Sequence, residues 1–193
     1  MSCEQTADPL SAPPRKYRIA LLGAESSGKT TLATDLTTAL RERGYNAGMV
    51  PEYLRTWCQE NSRLPELEDQ GVILEGQLAL EEAAADKFDV LVCDPAAITT
   101  GFYSWEYFGS DLHLDRMLLD RYDQLFLCDI DFPWHPDPLR DGEIVRDHMH
   151  SSIVTYLTRT RTINDEEIPL LSQSAPQRLA LALSLLSLPE LSH

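Results

Sequence analysis

Between residues 17 and 43 the chain reads as a strand, a glycine turn and a helix with nothing between them: YRIALL, then GAESSGKT, then TLATDLTTALRER. The apolar run Tyr17 to Leu22 stops at Gly23, and the next eight residues fit G-x-x-x-x-G-K-[ST]. Gly23 and Gly28 allow a tight turn with inward-facing backbone N–H groups, a geometry suited to phosphate oxygens. A helix from about Gly28 to Arg43 follows. Leu32, Ala33, Leu36, Ala39 and Leu40 form one apolar stripe along it, and Gly44 suits its stop. Its positive N-terminal end meets the same phosphates. The expected nucleotide-binding set is Gly23, Ala24, Glu25, Ser26, Ser27, Gly28, Lys29, Thr30 and Thr31, with Lys29 reaching the terminal phosphates and the Thr30 hydroxyl on Mg²⁺.

The remainder alternates between short apolar runs and helix-like stretches, the pattern of a parallel sheet covered on both faces. A second strand, Ala47 to Val50, ends at Pro51-Glu52, and a helical region runs from beyond Leu67 to about Asp86. The third strand, Phe88 to Cys93, ends at Asp94, and the fourth, Gln124 to Cys128, ends at Asp129. A fifth near Ile168 to Leu171 precedes a helix opening at Ala175-Pro176. The expected fold is therefore α/β: a three-layer P-loop NTPase fold with a five-stranded parallel sheet. Ligands in such a fold collect at the carboxyl ends of the strands. The expected organisation is a loose tail at residues 1–16, one domain over 17–193, and a Pro-, Asp- and Arg-rich lid at about 131–147.

A formal net charge of −15 over 193 residues argues against nucleic acid or an anionic membrane as partner. The four cysteines, Cys3, Cys58, Cys93 and Cys128, have no C-x-x-C spacing, and Cys93 and Cys128 sit in apolar runs that favour burial. No apolar signal segment opens the chain, and the leucine-rich stretch Leu179 to Leu188 is too short to span a bilayer, so a cytoplasmic protein is expected. Oligomeric state leaves no trace in the sequence.

The use made of the phosphate turns on the segment VPEYLRTW. Guanine-specific switch proteins carry N-K-x-D, and none of Lys16, Lys29 and Lys87 follows an asparagine. Glu52, at the end of a strand near the glycine loop, stands where an acceptor hydroxyl would meet the γ-phosphate, and can act as its base. Arg55 can contact phosphate, and Trp57 offers a flat apolar face. Asp94 is the candidate second Mg²⁺ residue, a role compatible with capping the helix that follows. In the expected lid, Arg140 and Arg146 would neutralise the transferring group, or else form exposed ion pairs. Trp57, Gln77, Tyr103, Tyr107 and Trp134 can line a slot for a flat ring; each aromatic alone is more often core than ligand contact, Trp134 in its polar loop excepted.

VPEYLRTW resembles the Glu-Pro-x-x-x-Trp segment of deoxyribonucleoside kinases, whose glutamate is the base for the 5′-hydroxyl; Tyr53 replaces the proline. More of the chain, Tyr17 to about Arg178, resembles the ribosylnicotinamide kinase domain of NadR and related stand-alone P-loop kinases of the AAA-ATPase type. The matching features are GAESSGKTTL, Glu52-Tyr53, Gln77, Asp94 with Thr99-Thr100 and Tyr103, Tyr107 to Gly109, and PWHPDPLR with Arg146. Pro133-Trp134 followed by Asp137 and Leu139-Arg140 is more specific than the glycine loop. Two departures stand out: Asp94-Pro95-Ala96 replaces Asp-Thr-Asp, and Asp137-Pro138-Leu139-Arg140 replaces Asp-Gly-Leu-Arg. The resemblance implies ATP-dependent phosphorylation of nicotinamide riboside at its 5′-hydroxyl, with Glu52, Lys29, Arg140 and Arg146 catalytic. Glu52, Tyr53, Arg55, Trp57, Gln77, Asp94, Tyr103, Tyr107, Trp134 and Asp137 would then face the substrate. A regulatory ATPase, or a kinase for another nucleoside or a vitamin, is the alternative.

Overall fold

A computed structural model describes residues 16–134, 142–160 and 168–190. Residues 1–15 of the expected tail at 1–16, and the lid residues Asp137 and Arg140, lie outside the described residues.

The order is β1 (Tyr17–Leu22), α1 (Lys29–Glu42), β2 (Ala47–Val50), α2 (Tyr53–Asn61), α3 (Gln70–Ala85), β3 (Val90–Cys93), α4 (Thr99–Phe108), β4 (Gln124–Cys128), α5 (Glu143–Thr160), β5 (Leu170–Leu171) and α6 (Ala175–Leu185). Every paired strand is parallel, and the order across the sheet is β2-β3-β1-β4-β5. β1 lies in the middle because its run Ile19 to Leu22 is apolar on both faces, which only a strand covered twice can bury. Ile19 and Leu21 pack with Leu32, Leu36 and Leu40 of α1 and Ala182 of α6. Ala20 and Leu22 pack on the other side with Phe102 of α4 and Met149 and Ile153 of α5. Alternation along one strand thus builds both layers.

Several boundaries differ from expectation. Gly28 does not begin α1; it sits just before it at φ 78°, in the left-handed region that glycine tolerates, and the helix starts at Lys29. β3 begins at Val90 because Asp89 is taken up by Lys16 at 2.8 Å and by Asn46, while the Phe88 ring lies over Gly48. The short helix α2 was not expected. Neither was α5, which replaces the end of the expected lid; its buried stripe is Arg146, Met149, Ile153 and Leu157. A charged residue in that stripe breaks the apolar period that marks a helix in sequence. Among the described residues, no helix is long and apolar enough to cross a membrane, and Cys58, Cys93 and Cys128 are free and buried. Burial pushes the Cys128 thiol up to about 11, so it behaves as a small apolar side chain.

Candidate active site

The carboxyl ends of β1, β2 and β3 open onto two adjoining cavities. The first, of about 400 Å³, is lined by Ser26 to Thr31 of the glycine loop together with Arg55 and Asp94. The second, of about 280 Å³, is lined by apolar groups of α2 to α4 (Leu54, Cys58, Ile73, Phe108) and by Gln70, Gln77 and Tyr107. Glu52, Pro95, Thr99 and Tyr103 line both. The wall between a phosphate cavity and a ring-sized slot therefore carries a carboxylate.

In the loop, Lys29 Nζ donates to the carbonyls of Gly23 at 2.8 Å and Ala24 at 2.5 Å, so the ammonium rests on its own turn. Ser27 Oγ donates to the Ala24 carbonyl at 2.7 Å. Gly23, Ala24 and Glu25 are buried beneath the cavity and do not line it. Thr30 and Thr31 are exposed at the start of α1 and do. Asp94 is 7% exposed at the end of β3. It does not cap α4, which begins five residues later. Thr30 and Asp94 thus line one cavity as two oxygen donors, a fit to a hard cation.

Glu52 precedes α2 and accepts an ion-pair contact from Arg55 Nε at 3.0 Å. Its backbone is pinned from α3. Gln77 Oε1 accepts from the Tyr53 N–H at 2.8 Å, and Gln77 Nε2 donates to the carbonyls of Pro51 and Pro95 at 3.2 Å each. Gln77 thereby spends both its donors on the ends of β2 and β3, although its side chain also borders the second cavity. One turn further on, buried Glu81 accepts from the Ala97 N–H at 3.1 Å and from the Tyr122 hydroxyl at 2.6 Å. Burial raises the pKa of the Glu81 carboxyl, against the pull of Tyr122 and Arg121. The buried stripe Gln70, Ile73, Gln77, Glu81 carries three polar residues on a helix side that packing would make apolar, and their spacing is the signal in sequence that points to the site.

Tyr103 and Tyr107 stack with centroids 6.0 Å apart and ring planes 13° from parallel, and both line the second cavity. Trp57 and Tyr53 do not: Trp57 is buried with Ile73 and Cys58 under the Arg63 guanidinium, and Tyr53 packs over Gly76, where a Cβ would meet its ring at 2.2 Å. Trp134 is half-buried and lines neither cavity. Arg146, expected in a mobile lid, is on the first turn of α5 and 5% exposed; it donates to the Phe132 carbonyl at 3.0 Å and pairs with Glu143 at 3.1 Å. Its guanidinium is held by α5 and lines neither cavity.

Two residues that carry no assigned role in the sequence matter here. Thr99 lines both cavities, is 5% exposed, and its hydroxyl has no hydrogen-bond partner among the described residues. Arg178 of α6 lies fully buried against the loop. Arg178 belongs to no motif and is 151 residues from the Ser27 carbonyl it binds.

A strand running into a glycine loop with lysine and threonine, on a parallel sheet covered by helices, defines a P-loop domain of the three-layer α/β class. The profile of the AAA_28 family, described as an AAA domain, matches residues 18–169, and the chain belongs to that family. Its fold is similar to that of the NadR protein solved in complex with NR, with a TM-score of 0.62 and 17% identity over 92% of this chain. The match covers 53% of the NadR chain, so this chain spans about half its length. It is similar too to a deoxyadenosine kinase from M. mycoides solved with the products dCMP and dCDP, at a TM-score of 0.54 and 13% identity, covering 86% of this chain and 97% of that one. At these identities the likeness is one of fold. No curated protein matches the sequence.

Proposed function

We propose that the chain is an ATP-dependent kinase acting on the 5′-hydroxyl of a nucleoside, with nicotinamide riboside as the leading acceptor. The observation that carries this reading is the pair of cavities meeting at Glu52. The nucleotide lies along Ser26 to Thr31 in the first, above the buried Gly23 to Glu25; the acceptor's ring enters the second, against Tyr103 and Tyr107. No lysine, arginine or histidine lines the second cavity among the described residues, which favours an uncharged or cationic acceptor over a phosphorylated one. The stacked tyrosines suit a flat cationic ring. The similarity in fold to NadR and to a deoxyadenosine kinase supports the same reading.

In the reaction, Glu52 takes the proton of the acceptor hydroxyl as its oxygen bonds to the γ-phosphorus. The bond from that phosphorus to the β,γ-bridging oxygen breaks, and ADP leaves with the electron pair. Arg55 holds the Glu52 carboxylate in place until substrate arrives. Lys29 exchanges its loop carbonyls for phosphate oxygens and offsets the charge of the transferring group. Thr30 and Asp94 would hold Mg²⁺, which supplies charge neutralisation at the phosphates when bound. The roles of Asp137 and Arg140 belong to residues outside those described.

The test is release of ADP by purified chain given ATP, Mg²⁺ and a panel of nucleosides including nicotinamide riboside. Release should depend on the acceptor and yield a 5′-monophosphate. Glu52→Gln should keep ATP binding and lower transfer by about 10²- to 10⁴-fold, the span of general-base contributions. ADP release equal with and without every acceptor would sink the kinase reading and leave a nucleotide-hydrolysing module.

A further inference from the structure

Arg178 is an arginine in an unusual place: on α6, 1% exposed, with its guanidinium shared among three separate segments. Nη1 donates to the Ser27 carbonyl at 2.6 Å. Nη2 donates to the Asp129 carbonyl at 3.1 Å and to the Asp131 carboxylate, and Nε donates to the Gln173 carbonyl at 3.1 Å. The guanidinium carbon Cζ lies over the Phe132 ring, 4.3 Å from its centroid. Such a fork fits a fixed planar donor and nothing more flexible.

The bond to Ser27 has a consequence for the phosphate cavity. A trans peptide is planar, and its C=O and N–H point in opposite directions. The Ser27 carbonyl and the Gly28 N–H belong to one peptide unit. Holding that carbonyl back toward α6 turns the Gly28 N–H the other way, toward the cavity that Gly28 lines. The Gly28 φ of 78° lets the unit adopt this orientation. A Cβ on Gly28 would meet Phe132 Cε2 at 2.7 Å, so the ring stacked on Arg178 also closes the back of the loop. A peptide free to flip would present its carbonyl to phosphate, a repulsive arrangement.

We infer that Arg178 is a positioning residue for the nucleotide: by clamping the Ser27 carbonyl it sets the Ser27–Gly28 peptide so that a backbone N–H faces the phosphates. This rests on the reading of Gly23 to Thr31 as the donor site. It assigns to α6 a part in anion binding that no residue of the loop can perform on itself.

Arg178→Lys and Asp131→Asn test it, the first removing the fork and the second weakening its ion pair from a side chain one-third exposed. Binding of ATP, of inorganic tripolyphosphate and of adenosine is measured by calorimetry, alongside thermal unfolding and the KM for nicotinamide riboside. Arg178→Lys should weaken ATP and tripolyphosphate about tenfold to a hundredfold, the worth of one oriented bond to a charged group. Adenosine affinity and the acceptor KM should stay within twofold. Asp131→Asn should shift tripolyphosphate in the same sense by a few-fold. Unchanged tripolyphosphate affinity in both variants, or equal losses for adenosine, acceptor and phosphate, would overturn the inference while leaving the donor site intact. Wild-type chain that binds neither ATP nor tripolyphosphate would overturn the donor site, and this inference with it.

Discussion

Replacing Gln77 by leucine keeps the volume of a side chain that is fully buried and removes an amide that ties three backbone groups. The Tyr53 N–H at 2.8 Å and the Pro51 and Pro95 carbonyls at 3.2 Å lose their partners together. Each lost bond is worth about 1 kcal/mol net, and a donor or acceptor left stranded away from water costs about 1–3 kcal/mol. The two long bonds are weak and their carbonyls can find water, so the Tyr53 N–H dominates; the sum is about 3 kcal/mol. In a domain of this size that corresponds to a fall in Tm of roughly 6–12 °C. Urea unfolding of Gln77→Leu against wild type measures the loss directly, with an unchanged m-value as the check that only stability moved. Because Glu52 lies between Pro51 and Tyr53, acceptor-dependent ADP release should fall further than the folded fraction does. A loss under 1 kcal/mol, or activity that simply tracks the folded fraction, would refute the argument that α3 places Glu52 through this amide.

Thr99→Val should leave stability unchanged or raise it by about 1 kcal/mol, since it removes a buried hydroxyl with no partner among the described residues, and thermal unfolding decides it. A clear fall in Tm would show that the hydroxyl is used. For His150, burial lowers the pKa below its ordinary 6.5 against the pull of Asp129 and Asp147, with Arg146 and Lys29 acting in the same sense as burial. The folded chain therefore resists a proton that the unfolded chain accepts. The stability that neutral His150 contributes is full above about 6.5 and is lost as pH falls through the lower folded value. Stability measured between pH 7.5 and about 5 should decline less steeply in His150→Gln than in wild type, and parallel curves would remove His150 from the acid response.

The parts of the fold legible in sequence are those where two independent signals coincide. At Tyr17 to Glu42 an apolar run, a glycine pattern and a helical stripe share one junction, and strand, loop and helix all stand there. Glu52 and Asp94 were visible because each ends an apolar run, and both line the phosphate cavity. α5 was not visible: its buried side begins with Arg146, and a stripe of one arginine, one methionine, one isoleucine and one leucine gives little period. In sequence, Trp57 is a candidate both for a ring contact and for core. Once α2 is a helix, that side chain turns toward Ile73 and away from the cavity. Arg178 had no local signal at all, since every group it binds except the Gln173 carbonyl is distant in sequence.

What separates this site from an ordinary strand-end crevice is the division of its buried polar groups. Gln77, Glu81 and Arg178 each hold backbone groups of the strand-end loops, Glu81 also accepting from the Tyr122 hydroxyl and Arg178 also pairing with Asp131, so they shape the crevice. Lys29 donates to the carbonyls of Gly23 and Ala24 and to the Ser27 hydroxyl of its own turn, contacts that phosphate oxygens replace without unfolding anything. A group tied across segments costs stability when it is removed; a group resting on its own loop does not. Substitution of Gln77 should therefore lower stability, and substitution of Arg178 stability and phosphate affinity together. Lys29→Met should abolish phosphate affinity and leave the unfolding midpoint within a few degrees of wild type, because an exchangeable local contact contributes about 1 kcal/mol or less. If Lys29→Met unfolded as readily as Gln77→Leu, the ammonium would be a structural tie, and the loop would be too rigid to hand it over to a nucleotide.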